Sequence, residues 1–339
     1  MKVQTLDESS GSSIIHSTKD LAHQYDLSKM PFVDWEYLIQ CRRPYSEQSR
    51  NDFMAGKWVT HYEKGKYDVA LLHLDQQCIE GQILERGKGS LYRVLNEVIT
   101  DIPKIVIMHG TPYYPEKYSK DEIIERVKEM VGDNVMITNS KRAARQFGWG
   151  IPIHHGMDPD EWFDLPKEPR VVTMISPGGL DKYYDRAFFM AIREELAERD
   201  IYHCHITVDW RAKDWEEYRD FLGRSLIYLN PTKESPMPRA RTEAMFSGCC
   251  VLTTPWQDAS DFIEDGKNGY IIGDQKTGVS RNPIAVADLI EKLINNYDTC
   301  IKVGQAGKET AKKVFSQERY HDEWYKVLCD TVDNFKKTK

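Results

Sequence analysis

The sequence predicts an α/β protein of two domains, each a Rossmann-like stack of crossover βα units around a parallel sheet. Three observations predict it. Short apolar runs alternate with amphipathic stretches along the chain. A proline-rich, charged stretch, Leu165-Pro166-Lys167-Glu168-Pro169-Arg170, interrupts that alternation near the middle. At 339 residues the chain exceeds what one hydrophobic core ordinarily supports.

In the first half, strands are expected at residues 3–6, 69–74, 105–108, 135–138 and 151–154, where four to six apolar or β-favouring residues run together. Between the third and fourth of these, Ile123, Ile124, Val127, Met130 and Val131 fall on one helical face. Behind the proline-rich stretch the pattern restarts, with strands expected at 171–176, 204–209, 226–230, 249–254 and 270–273. Helices are expected at 186–199, 238–247 and 284–296. The expected domains are therefore residues 1–165 and 171–314, with residues 315–339 as a terminal helix. Two such halves facing each other would leave a cleft at the carboxyl ends of their strands, where open α/β sheets bind ligands.

Composition narrows the function. With 40% hydrophobic and 29% charged residues, and 8 Trp, 18 Tyr and 11 Phe for cores, the chain is globular rather than disordered or fibrous. Lys and Arg total 46 against 53 Asp and Glu, a net charge of −7, so no global positive field draws it to nucleic acid or anionic lipid. The cluster Lys141, Arg142 and Arg145 reads as a solvated helix face. No eighteen-residue apolar run occurs, and Met1 to Ser13 has neither a basic nor an apolar signal region. The seven cysteines (Cys41, Cys78, Cys204, Cys249, Cys250, Cys300, Cys329) form an odd set without a CxxC pair, which argues against a disulfide framework and a zinc knuckle. A reducing cytoplasm is the expected location, with peripheral membrane association left open. The absence of GxxxxGK[ST], GxSxG and HExxH removes three common enzyme classes.

The segment from Leu229 to Gly248 is the most informative. A strand ends at Asn230, a loop carries Glu234 with Pro236 and Pro238, and a helix then runs to its stop at Gly248. Loop and helix start present backbone N–H groups, which favour a phosphate or another oxygen-rich ligand. Glu234 and Glu243 would accept hydrogen bonds from hydroxyls, so the combination suits a ligand with both phosphates and sugar hydroxyls. A helix cap at Glu234 and a solvated Glu243 would produce the same spacing. His109, at the end of an apolar strand before Gly110-Thr111-Pro112, is either a structural hydrogen-bonding residue or a site residue. His154 and His155 are adjacent and point to opposite sides of a strand, which disfavours a shared metal. Trp210 and Trp215 read as core residues rather than as a ligand cover.

The stretch Glu243-Ala244-Met245-Phe246-Ser247-Gly248, the apolar strand Cys249 to Thr254 and the turn Glu264-Asp265-Gly266-Lys267-Asn268-Gly269 together resemble the C-terminal signature of the retaining GT-B glycosyltransferases, glycosyltransferase family four (group 1) in particular. Three further stretches look like the family's N-terminal strand ends: Met1 to Leu6 with the small-residue loop Ser9 to Ser13, Ile105 to Thr111, and Ile137 to Lys141 with Ile153 to Asp158. The resemblance implies a GT-B fold, transfer from a nucleotide-sugar donor with retention of configuration, and a terminal helix from Phe315 that packs back onto the first domain. It also implies site residues. Glu243 would bind the ribose, and Glu234 with the N–H groups of Ser235, Pro236 and Met237 would face the transferred sugar, although Pro236 itself lacks an N–H. His109 would reach that sugar, Gly178 and Gly179 would line the diphosphate with Lys182 as its counter-charge, and Gly11 and Ser12 would lie on the acceptor side. No cofactor and no metal are expected, since Asp158-Pro159-Asp160, which mimics the metal-binding D-x-D of the other large glycosyltransferase fold, reads as a helix cap. Lipid, glycan, small-molecule and modified-nucleobase acceptors all fit. The alternatives are a non-catalytic bilobed sugar or nucleotide binder and a GT-B-like nucleotide-sugar epimerase. Three departures from the family pattern stand out: Glu234 and Glu243 are nine positions apart rather than eight, Pro177 stands near an expected Arg, and Gln257-Asp258 with Asp261 replace two glycines and a glutamate.

Overall fold

A computed structural model describes residues 12–17, 21–31, 33–38, 57–75, 79, 88–114, 117–175, 177–233, 237–256, 258–273 and 282–338. The chain divides into two compact units, Met1–Gly156 with Gln317–Lys339, and Met157–Ser316.

Unit 1 holds a parallel sheet of β1 (Ser12–Ser17), β2 (Val33–Leu38), β3 (Lys57–Val59), β4 (Val69–Asp75), β5 (Lys104–His109), β6 (Val135–Thr138) and β7 (Ile151–Pro152). Their order is β3-β2-β1-β4-β5-β6-β7, so the direction of winding reverses between β1 and β4. Strand alternation sends Leu72, Leu74, Val106 and Met108 to one face, under α2 (Lys88–Val98) and α3 (Lys120–Val131). Val69, Leu71, Ile105 and Ile107 go to the other, where Tyr320, Trp324, Val327 and Leu328 of α12 (Gln317–Thr338) complete the core. The ring of His321 donates to the Asp26 carbonyl of α1 (Leu21–Ser28), fixing α12 against that element at 2.9 Å. The expected strand at residues 3–6 lies outside the described residues. The stretch read as the small-residue loop behind it ends in β1, whose Ile14 and Ile15 pair with both β2 and β4.

Unit 2 holds β8 (Glu168–Met174), β9 (His203–Ile206), β10 (Ser225–Asn230), β11 (Cys250–Thr253) and β12 (Tyr270–Ile271), parallel and ordered β12-β11-β10-β8-β9. Here the reversal falls between β8 and β10. One face packs on α6 (Arg186–Glu198) and α10 (Pro283–Asn295) through Ile192, Leu196, Ile290 and Leu293. The other packs on α7 (Trp215–Gly223) and α8 (Arg239–Phe246) through Leu222, Ala244 and Phe246. Helix α11 (Tyr297–Val314) crosses so close behind β11 that a Cβ on Gly304 would overlap the Gly248 carbonyl oxygen.

The proline-rich stretch is not a linker; it lies inside unit 2, and the contact boundary falls after Gly156. Its physical reason is Lys167, a buried ammonium that donates to the Gly223 carbonyl at 2.6 Å and to the Ser247 carbonyl. Those are the carboxyl ends of α7 and α8, where unsatisfied carbonyls and the helix dipole both favour a cation. Asp164 completes the cluster, 3.3 Å from Lys167 and 2.9 Å from Lys308. Burial pushes the Asp164 carboxyl up, yet hydrogen bonds from Gln305 and Lys308 and the Lys167 charge hold it below its usual range. Lys167→Met would remove a donor from the buried Gly223 and Ser247 carbonyls and one of the two ammonium groups beside Asp164, and urea unfolding should register a loss of about 3 kcal/mol.

A second buried network crosses the sheet. His203 on β9 donates to Thr173 on β8 at 3.1 Å, and Thr173 donates to the Leu229 carbonyl on β10 at 2.8 Å. Burial, reinforced by Arg193, pulls the His203 ring down to about 3. Below the ordinary histidine range the unfolded chain therefore binds a proton that the folded chain refuses, so stability falls as pH drops from about 6.5 toward about 3. In His203→Asn that slope should flatten by roughly one proton, measured by urea unfolding over a pH series.

Candidate active site

In unit 2 the winding reversal puts the end of β8 beside the end of β10, the position where open α/β sheets take ligands. Behind β8 comes α5 (Pro177–Tyr183), a helix in a stretch to which the sequence assigned no element. Gly178 and Gly179 lie in its first turn and Lys182 in its last. The chain leaving α5 is stitched to the loop leaving β10: Lys233 N–H donates to the Tyr183 carbonyl at 2.7 Å, and Tyr184 bridges Thr232. Lys182 thus sits in sequence next to the hydrogen bond that anchors the start of the Glu234 loop. Glu234, Ser235 and Pro236 lie outside the described residues, as does Gly11.

Around the carboxyl end of β10 is a buried polar layer. Asn230, the last residue of β10, donates to the Tyr184 hydroxyl at 2.7 Å and accepts from Thr253 at 3.1 Å. Thr254 donates to the Thr232 carbonyl at 2.6 Å. Arg241 on α8 is fully buried here, its guanidinium within 3.4 Å of the Thr253 hydroxyl and the Trp256 carbonyl and 2.9 Å from the Met237 sulfur. Burial pulls it down to about 10, opposed by Tyr184, Tyr228 and Asp258, so it stays charged at neutral pH. Met237 is accordingly turned into the core by its side chain. Asp258 adopts φ 60°, a left-handed conformation that glycine enters freely and Asp tolerates, at one of the positions where the family pattern has glycine.

Glu243, on the same helix as Arg241, is buried rather than solvated: its Oε2 accepts from the Tyr218 hydroxyl of α7 at 2.9 Å. A second strand end shows comparable care. The Ile175 carbonyl, just behind β8, accepts from His205 at 3.0 Å and from Thr207 at 2.6 Å, and Thr207 holds φ 84°. A β-branched residue in that region is strained and marks a place where the surroundings dictate the backbone. Trp210 stacks on Phe221 at 4.1 Å and Trp215 meets Trp162 edge-on, both core contacts.

In unit 1 His109 ends β5, half-buried, followed by Gly110 at φ 111° and a buried Thr111. Its Nε2 lies 2.6 Å from Nδ1 of His73, a buried residue of β4 that sequence reading passed over inside an apolar run. Ser12 is the opening residue of β1, at the amino end of a parallel strand and not in a loop at the carboxyl ends, so its acceptor-side assignment is corrected by the sheet register. Asp158 caps the 3-10 turn Pro159–Glu161, accepting from Asp160 N–H at 3.0 Å. Among the described residues no helix is long and apolar enough to cross a membrane.

Comparison with known proteins addresses the same region. The family model described as glycosyl transferases group 1 matches residues 188–296, which include Glu243, Arg241 and the 234–236 loop. Spore coat protein SA of Bacillus subtilis is 26% identical over 115 residues, 34% of this chain and 29% of its own length. The matched stretch thus spans under a third of that curated relative. Among solved structures, Anabaena HepE in complex with UDP and glucose superimposes with a TM-score of 0.67 at 11% identity, covering 94% of this chain and 100% of that one. A glycosyltransferase from Rickettsia africae superimposes at 0.66 with 12% identity, covering 96% and 100%. At such identities the likeness establishes the fold. The protein has a GT-B fold, and residues 188–296 of its second unit match the model of the group 1 glycosyl transferases.

Proposed function

We propose that the protein is a retaining glycosyltransferase that moves a sugar from a nucleoside diphosphate sugar to an acceptor hydroxyl or amine. The observation that carries this reading is Glu243, a carboxylate buried within the group 1 segment and held by Tyr218 beside the polar layer at the β8 and β10 strand ends. A carboxylate fixed in this way suits a pair of vicinal ribose hydroxyls. The UDP and glucose held by HepE favour a uridine nucleotide as the first donor to test. In the reaction the bond from the anomeric carbon to the diphosphate oxygen breaks and a bond to the acceptor forms. The departing diphosphate needs positive charge and N–H donors, which Lys182, Gly178 and Gly179 supply from α5. Glu234, Ser235, Pro236 and Met237 supply the loop that faces the transferred sugar, and His109 acts on that sugar.

A melting-temperature screen of uridine, guanosine and adenosine diphosphate sugars should find at least one stabilising donor, because a ligand of the native state alone raises the midpoint. Glu243→Ala should weaken that donor about tenfold or more, and Tyr218→Phe by a smaller factor, since the phenol only orients the carboxylate. His109→Ala should instead lower kcat by about 100-fold with donor affinity little changed. No shift with any donor would remove the assignment. Nucleotide release scored with lipid, glycan, small-molecule and modified-nucleobase acceptors identifies the acceptor class and separates transfer from simple binding.

Charge at the leaving group comes from the protein rather than from a metal in this reading, supported by Asp158 being spent on its own helix cap. Transfer should persist in excess chelator, be insensitive to Asp158→Ala, and fall sharply in Lys182→Ala. Activity abolished by chelator and restored by manganese would overturn it.

A further inference from the structure

The two rings of His73 and His109 are nearly coplanar, 9° apart, with centroids separated by 4.9 Å and the facing nitrogens by 2.6 Å. These values describe a short in-plane N–H···N hydrogen bond, not a face-to-face stack, because the nitrogen-to-nitrogen line runs along the line of centres. Such a bond requires one ring to donate and the other to accept, so it couples the tautomers of the two rings, His109 carrying its Nε2 proton when His73 accepts and lacking it when His73 donates, and it fixes the plane of each. His73 is itself fixed: it is 3% exposed, two residues from the end of β4, on the face where Leu71 and Ile107 pack. The sheet register sets the reach, since His73 pairs with Ile107 and the strand carries His109 one pleat further on, on the same face.

We infer that His73 is the positioning residue of His109: it takes the Nε2 edge of that ring and presents the Nδ1 edge to the ligand. The inference rests on the reading that His109 acts on the donor sugar. Under it, His109 holds one ring orientation, with its tautomer tied to that of His73, at the moment a substrate arrives, which is what positioning contributes to rate. His73 touches no substrate.

Two measurements test this. The first needs no activity: with uniformly ¹⁵N-labelled protein, a scalar coupling across the hydrogen bond should link His73 Nδ1 to His109 Nε2. Its absence at a pH where the protein is folded would overturn the pair. The second compares His73→Asn, whose amide overlays the lost Nδ1, with His73→Phe, which preserves the ring volume and has no polar atom. Positioning predicts a kcat loss of about 100-fold in the Phe variant and about tenfold or less in the Asn variant, with the donor KM unchanged in both. A packing role predicts the reverse order, and Phe equal to or better than Asn would sink the proposal. The donor-induced melting shift is recorded alongside. Its absence in the unmodified protein would remove the underlying reading and His73's role with it, whereas a normal shift with the reversed order would remove His73's role alone.

Discussion

The Lys167 ammonium sits where two helices end, and much of unit 2 is arranged around that fact. It neutralises the carboxyl ends of α7 and α8 at once, so the helix that carries Tyr218 and the helix that carries Glu243 are held to one point. An ammonium so enclosed is tolerable only with every proton engaged and a carboxylate nearby, which is the part Asp164 plays with Lys308 and Gln305. The result fixes the amino ends of β8, β10 and β11, the edge of the sheet opposite the strand ends that carry the site.

At the carboxyl ends of the same strands the polar groups form a second layer, in which members are hydrogen-bonded to their neighbours. Asn230, Tyr184, Thr253 and Thr254 join the ends of β10 and β11 to the chain behind α5, and Arg241 fills the space between them. Buried networks of this kind fix one geometry when fully satisfied. The loop from 234 to 236 is therefore flanked on both sides by residues whose positions are determined by hydrogen bonds, not by its own composition. The same economy appears in unit 1, where one strand register brings two histidines into line.

Sequence reading recovers β4, β5, β6, β10 and β11, whose apolar runs are buried, and also places β7, β8, β9 and β12, which carry exposed or polar residues, from the apolar residues within or beside them. It misses β1, β2 and β3. β1 reads Ser-Ser-Ile-Ile-His-Ser and β2 reads Val-Asp-Trp-Glu-Tyr-Leu, and both take their strand character from neighbours in the sheet. Pro177-Gly178-Gly179 falls between an expected strand and an expected helix and carries no periodic signal, yet Pro is well suited to the first helical turn and the three open α5. At the site, Glu243 was legible from its spacing to the helix stop and from family resemblance. His73 was not, since a single polar residue in Val-Ala-Leu-Leu-His-Leu carries no periodic signal and its meaning depends on a partner 36 positions away. Arg241 was equally hidden, because nothing in a helix of mixed charge says which arginine will be enclosed. The proline-rich stretch misled for the opposite reason: its composition is that of a linker, yet its lysine is buried.

The placement of α12 has a consequence for how the chain is made. Unit 2 is one uninterrupted segment, whereas the core of unit 1 is closed by Tyr320 and Trp324, which follow all of unit 2 in the chain. A ribosome therefore delivers the whole of unit 2 before it delivers the helix that covers Leu71, Ile105 and Ile107. During that interval the earlier-made sheet has one apolar face without its cover, a surface of the kind that chaperones hold. The first half synthesised is the second half finished.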